Sequence, residues 1–470
     1  MTRRPRLIRV APWLAAGVLV LLGGLCLHGC SSLPRIVPDL EQRPKAAVPL
    51  EGAAGPLTAA QSQAVLDRLA RGGQPTGIFD RHLAREEALV GSPLTTGNRV
   101  QLLRDGPATY RAMIDAIAAA RDHVNLETYI LDDDEVGQRF AQALLAKQRE
   151  GVQVSLIRDS VGTLGTPAAF FDELAAHGVR VLEFNPMNPA STRKDWELNR
   201  RDHRKLLIVD GRTAFLGGIN ISGVYSGGSF RPGSRARGGV GPPWRDTDLQ
   251  LQGPVVAELQ KLFLDAWASQ NGPPLPVRDY FAPPEAPGRE LVRVIGSSPD
   301  EPFSLIYATL LSAIGSAETS IRLTNAYFVP DPQLLEALEA AVGRGVDVRL
   351  ILPSQTDSGL VFHAGRSHYE RLLRAGVKIH ERQGAILHAK TVLIDGVWST
   401  VGSTNLDWRS FLHNHELNAV VLGEHFGRQM QAMFDADLAA SEVITLEGWQ
   451  RRPIELRFKE WFSRLWAYWL

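Results

Sequence analysis

The chain has 470 residues, 44% of them hydrophobic and 22% charged, too apolar for intrinsic disorder and too charged for a polytopic membrane protein. Lys and Arg together number 51, as do Asp and Glu, so the net charge argues against a polycation that coats nucleic acid and leaves room only for a local basic patch. The two cysteines, Cys26 and Cys30, both precede the body, which rules out a disulfide scaffold or a cysteine-based metal site there.

Arg3, Arg4, Arg6 and Arg9 precede an apolar run from Val10 to Leu27, the pattern of an export signal or an N-terminal anchor. The run ends Leu27-His28-Gly29-Cys30, which resembles a bacterial lipobox and implies Cys30 as the lipidated first residue of a mature chain. The alternative is an uncleaved anchor, since about 18 apolar residues just cross a bilayer. Either reading sets the body beside a membrane, facing the periplasm, as an outer-membrane lipoprotein or a protein anchored in the cell membrane. Residues 31–60 are rich in proline and read as a tether.

The body repeats itself. Ala116-Ile117, Val124–Tyr129 and Gly151–Ile157 match Ala313-Ile314, Ile321–Tyr327 and Gly345–Ile351. Each copy reads as helix, buried strand, helix, glycine turn, buried strand, which predicts an α/β fold with a largely buried sheet. Two copies at this separation predict two like domains, residues 61–275 and 276–447, related by a pseudo-twofold axis.

The same polar residues recur at corresponding places. His203-Arg-Lys205 runs to Asp210 and is followed by Gly217-Gly218-Ile-Asn220; His388-Ala-Lys390 runs to Asp395 and is followed by Gly402-Ser403-Thr-Asn405, all at one constant offset. On a strand, His and the Lys two residues on share a face, able to meet one anionic group. The Asp seven residues after the His is expected well along or beyond that strand. These residue types suit displacement at phosphorus: one imidazole attacks, the other protonates the leaving oxygen, and two lysines stabilise the non-bridging oxygens. An Asp that accepts a hydrogen bond from an imidazole would fix its tautomer. The lysines supply the charge neutralisation, so no metal or other cofactor is expected.

Both segments resemble the His-x-Lys-x4-Asp signature of the phospholipase D superfamily, and the resemblance extends from about Gly97 to Gly423. It implies two pseudo-twofold-related phospholipase D-type domains, each a mixed β-sheet flanked by helices. It also implies catalytic His203, Lys205, Asp210, His388, Lys390 and Asp395, supported by Asn220, Asp246, Ser403, Asn405 and Glu416. Asp246 and Glu416 match the acidic residue that the family uses to hold a catalytic histidine. Gly218 departs from the pattern, removing from the first copy the hydroxyl that Ser403 would direct toward a phosphate. Gly97–Leu103, Leu126–Tyr129, Asn199–Lys205 and Val401–Ser410 make the chain most similar to bacterial cardiolipin synthases. That resemblance implies a phosphatidyl group passed from phosphatidylglycerol through a phosphohistidine to a second lipid, phosphatidylglycerol or phosphatidylethanolamine. His203 is the expected nucleophile and His388 the expected general acid. A hydrolase releasing phosphatidic acid and, with less support, a nuclease share the same vocabulary.

Three further stretches bear on the substrate. The glycine-rich insertion from Ser226 to Pro243 carries Arg231, Arg235 and Arg237, either a basic lip for anionic headgroups or a plain surface loop. Residues 448–470 place Ile454, Phe458, Trp461, Phe462, Leu465 and Trp469 at helical spacing among Arg457, Lys459 and Arg464. Such a helix either lies in an anionic membrane surface or docks on the body. His413-Asn-His415 has metal-ligand spacing without a third ligand and is read as packing beside Glu416, while Glu127 and Tyr129 are read as lining or supporting the cleft.

Overall fold

The repeat is built as two copies of one α/β unit joined through their sheets. The computed structural model describes residues 35–38, 48–71, 76–187, 197, 199–227, 242–283 and 285–470. The N-terminal leader with Cys30 and the insertion arginines Arg231, Arg235 and Arg237 lie outside these described residues.

From its outer edge inward, the first sheet runs Arg180–Phe184, Gln153–Asp159, His123–Thr128, Leu206–Val209, Thr213–Gly217, Asp248–Gln252 and Leu94–Leu103. The second repeats that order as Lys378–Arg382, Asp347–Pro353, Ser320–Asn325, Lys390–Ile394, Trp398–Gly402, Asn414–Leu422 and Glu290–Ser297. In both, the first three of these strands are parallel and the rest antiparallel, which makes each sheet mixed, and Ser441–Ile444 adds an antiparallel strand outside Lys378–Arg382 in the second. Leu94–Leu103 and Glu290–Ser297 then pair antiparallel, with Asn98 opposite Glu290 and Thr95 opposite Val292. The two sheets therefore continue as one.

Local chemistry sets the repeated helices. Gly106–Ala119 starts where Asp105 accepts the Ala108 N–H at 2.9 Å, and Leu305–Ser316 starts where Ser304 accepts that of Tyr307 at 3.3 Å. Asp134 and Asp331 cap the next helix of each copy, Glu135–Arg149 and Pro332–Gly343. Each such cap fills backbone donors that a helix leaves open, worth about 1 kcal/mol. Leu216, Leu249 and Phe263 of the first copy bury with Val292, Leu393 and Phe426 of the second in one cluster. At about 1.5–3 kcal/mol per buried side chain, this shared core ties the copies together, and Val37–Leu470 forms one compact unit.

Two expectations need correction. The tether was read to residue 60, but Leu50–Gly52 already lies parallel to the strand at Leu94 and Thr95, and Leu50 is fully buried. Val37 is buried as well, exchanging hydrogen bonds of 3.1 and 3.0 Å with the Gln333 side chain. Proline content disguised short apolar anchors that the body covers.

The second concerns the catalytic role that the resemblance implies for Asp210 and Asp395, not their place, which lies beyond the strand as strand geometry expects. At about 3.3 Å per residue, the strand carries each Asp roughly 16 Å beyond its motif lysine. Asp210 accepts backbone N–H groups of Arg121, Asp122 and His123 at 2.9, 2.8 and 3.0 Å. Asp395 accepts those of Glu318, Thr319 and Ser320 at 3.0, 2.8 and 2.9 Å, and the Thr76 hydroxyl at 2.7 Å. Both sit at positive φ, 53° and 51°, where each tightens a turn. They fix the start of the neighbouring strand rather than touching a histidine.

At the chain's end the tail docks on the body, where helix Ile454–Arg464 packs against helix Gly359–Arg366. Helix Ile454–Arg464 turns Glu460 and Ser463 inward, Glu460 pairing with Arg452 at 2.8 Å. Its apolar side chains face out: Ile454 is 81% exposed, Phe458 63%, Trp461 57% and Leu465 61%. Among the described residues no helix is long and apolar enough to cross a membrane.

Asp210→Ala and Asp395→Ala each orphan at least three backbone donors, and hydrogen bonds to a charged acceptor contribute about 1.5–3 kcal/mol apiece. Each variant is expected to unfold at clearly lower denaturant concentration, and an unchanged midpoint in both would contradict the turn-fixing role.

Candidate active site

Two short pairings between the copies assemble the site. Arg201–Asp202 lies parallel to Asn414 and His415, and Trp244–Arg245 lies parallel to Ile386 and Leu387. Consequently the His203 N–H donates to the His415 carbonyl at 3.0 Å, and the His388 N–H donates to the Arg245 carbonyl at 2.7 Å. In each case the next residue along the accepting chain is the acid. Glu416 thus reaches His203, with Nδ1 3.1 Å from both carboxylate oxygens, and Asp246 reaches His388 Nδ1 at 2.7 Å. Each histidine is held by the carboxylate of the other copy. Because a carboxylate only accepts, both rings carry a proton on Nδ1 and leave Nε2 for chemistry.

Lys205 and Lys390 extend beside the histidines; their ammonium groups donate to the carbonyls of His203 and His388, respectively. All six side chains are at least nine-tenths buried. Burial pushes the His203 pKa well below the usual imidazole range, and Lys205, Lys390 and His388 push the same way. Burial also lowers His388, helped by Lys390 and opposed by its bond to Asp246. Both lysines are lowered, chiefly by burial and against the pull of the two acids, and Glu416 is raised by burial against the pull of Lys205. The pocket gathers cations whose charge is costly without an anion.

Aromatic rings wall it. Tyr129 meets His203 edge-on at 5.1 Å, Trp244 lies 5.0 Å and Tyr327 6.1 Å from His388, and the Tyr225 hydroxyl lies 3.2 Å from His388 Nδ1. Asn220 supports this arrangement indirectly, its amide donating to the Tyr225 hydroxyl at 3.2 Å while its oxygen accepts the Ile130 N–H at 3.1 Å. Asn405 is buried, and its side-chain oxygen has no hydrogen-bond partner.

Ser403 is placed differently from the expectation of a hydroxyl aimed at phosphate. It donates to Glu416 Oε2 at 2.5 Å, bracing the acid that holds His203. Gly218 explains the asymmetry, because a Cβ there would lie 2.3 and 2.5 Å from the Asp246 carboxylate oxygens. The shorter acid draws its carboxylate back onto the backbone and needs glycine; the longer one leaves space for a serine. Glu127 lies behind the motif, paired with Arg204 at 2.7 Å, and His415 packs on Phe184 at 5.1 Å. Tyr225, Trp244 and Arg201 escaped the sequence reading; aromatics on both sides of the first-copy insertion were the signal available.

The family model described as "Cardiolipin synthase, PLD-like domain" matches residues 113–225 and 310–438, which include all four motif histidines and lysines. A cardiolipin synthase of Geobacillus kaustophilus is 34% identical over 394 residues, 83% of this chain and 76% of that protein. Cardiolipin synthase A of Pseudomonas entomophila is 37% identical over 361 residues, 76% and 71% of the two chains. The chain belongs to the phospholipase D-like cardiolipin synthase family. The crystal structure of a Haemophilus influenzae phosphatidylserine synthase shares the fold, with a TM-score of 0.60 at 13% identity, over 82% of this chain and 99% of that one.

Within this phospholipase D-like site, Asp246 raises the His388 pKa, so its removal must lower it. Asp246→Asn is expected to shift the His388 titration, followed by imidazole NMR, to lower pH. Gly218→Ala displaces the same carboxylate and shifts it in the same direction, whereas an unmoved midpoint in both would contradict the pairing.

Proposed function

We propose that the protein is a membrane-associated phosphatidyltransferase that makes cardiolipin through a covalent phosphohistidine. The observation that supports this most directly is the pair of buried histidines, each oriented by a carboxylate of the other copy and flanked by its own lysine. His203 Nε2 attacks the phosphorus of phosphatidylglycerol, and the bond from phosphorus to the headgroup glycerol breaks as His388 gives that oxygen a proton. Lys205 and Lys390 stabilise the charge on the non-bridging oxygens. A hydroxyl of a second phospholipid then loses its proton to His388 and attacks phosphorus, and the phosphorus–nitrogen bond breaks to regenerate His203. The order of the histidines rests on their surroundings: burial and the neighbouring Lys205, Lys390 and His388 push His203 well below the usual imidazole range, whereas at His388, lowered chiefly by burial, the bond to Asp246 acts against that fall.

Product analysis tests the reading. Vesicles of phosphatidylglycerol and phosphatidylethanolamine are expected to yield cardiolipin and free glycerol, with loss of at least about a thousandfold in His203→Ala or His388→Ala. Phosphatidic acid as the sole product would make the enzyme a hydrolase.

Membrane association draws on both ends of the chain. The leader with Cys30 provides one signal, and the outward-facing Phe458, Trp461, Phe462 and Leu465, with exposed Arg457 and Lys459, provide a second suited to anionic lipid. Replacing Trp461, Phe462 and Leu465 together with Ser is expected to weaken binding to phosphatidylglycerol vesicles at least fivefold without changing the circular dichroism. Unchanged vesicle binding would remove the tail from the membrane contact.

A further inference from the structure

One buried cation beside the site has no role in the chemistry above. Arg201 is 1% exposed, yet its Nε and Nη2 have no hydrogen-bond partner. Nη1 is engaged, donating to the Ser160 hydroxyl at 2.7 Å and the Asn185 carbonyl at 3.5 Å and pairing with the buried Asp159 carboxylate at 3.7 Å. A buried guanidinium donor left open calls for a partner, and a phosphate oxygen is one that suits its geometry. The direction of the side chain is set by strand alternation. Asp202 and Arg204 turn to the rear, where Arg204 pairs with Asp202 and Glu127, so Arg201 shares the front face with His203.

A second arginine joins it. The Arg201 N–H donates to the His413 carbonyl, and the short helix Trp408–Leu412 that leads into this pairing carries Arg409. Asp407 caps that helix through the Ser410 N–H at 2.8 Å, and half-buried Arg409 makes no ion pair among the described residues. Tyr129, whose ring packs on His203, feels both; burial raises its phenol, and Arg409 and Arg201 act against that rise.

We propose that Arg201 and Arg409, beside Tyr129 and His203, form a second anion subsite that holds the phosphate of the acceptor lipid during transfer. This deepens the phosphatidyltransferase reading and rests on it. The donor phosphate occupies the two lysines, so an acceptor that is itself a phosphodiester brings a second negative charge needing its own partner. The spacing fits: two residues along a strand cover roughly 7 Å, comparable to the reach from the terminal hydroxyl of a glycerol headgroup to its own phosphorus. Planar guanidinium groups suit a phosphate's paired oxygens better than lysine does.

The test uses the full chain with phosphatidylglycerol vesicles as donor and two competing soluble acceptors, labelled glycerol and glycerophosphoglycerol. The wild type is expected to favour the phosphodiester acceptor, and Arg409→Gln and Arg201→Gln to reduce that preference at least tenfold, with Arg409→Lys recovering part of it. If Arg201→Gln fails to fold, the half-buried Arg409 decides alone. An unchanged preference in Arg409→Gln, or equal loss toward both acceptors, overturns the subsite. Inorganic phosphate that inhibits transfer to both acceptors alike, with the inhibition lost in Arg409→Gln, would assign the arginines to free phosphate instead and overturn the acceptor role. Cardiolipin formed in the vesicles without transfer to either soluble acceptor overturns the subsite alone, whereas absence of cardiolipin as well would defeat the phosphatidyltransferase reading, and the subsite with it.

Discussion

Backbone pairing between the two copies is the constraint on which the site depends. The His203 N–H is bonded to the carbonyl just before Glu416, and the His388 N–H to the carbonyl just before Asp246. Each acid is thereby delivered to an imidazole on the other half of the molecule. Neither copy alone can hold its histidine in a defined tautomer, and neither brings two lysines to one phosphorus. The continuous sheet and the shared core keep these pairings in register, since a shift of one residue would turn every side chain to the opposite face.

The electrostatics follow from that burial. Two lysines and two histidines are packed together around Asp246 and Glu416, and desolvation penalises every charge among them. Burial therefore favours neutral imidazoles and weakened ammonium groups here. Under the proposed function, a phosphodiester in this pocket would give the two lysines an anion to pair with. The proposed lipid substrates would suit the outward-facing aromatic tail, whose helix buries Glu460 and Ser463 and exposes Ile454, Phe458 and Trp461.

Much of this was legible in the sequence because the repeat doubles every signal. His203 with Lys205 and His388 with Lys390 stand out through their constant offset, and Asp246 and Glu416 through their place downstream. Legibility ended where contacts join distant segments. Which acid serves which histidine depends on strand pairing across the copies, and nothing in the local spacing records it. Asp210 and Asp395 belong to the same signature as the histidines, yet strand geometry carries them away to a turn. The exchange of Ser403 for Gly218 reads as a lost phosphate contact until the carboxylate beside each is seen. Arg201 looks like one more basic residue before the motif; only its buried, unfilled donors set it apart.

The central claim is that two dissimilarly tuned histidines divide one reaction, His203 forming the covalent bond and His388 moving the proton. A phosphatidyl ester of p-nitrophenol tests this directly, because its leaving group departs without an acid while the second step still needs a base. In His388→Asn, the account predicts a burst of one p-nitrophenol per enzyme and a phosphatidyl adduct mapped by peptide mass spectrometry to His203, with no burst in His203→Asn. A burst retained in His203→Asn, with the adduct on His388, would contradict it.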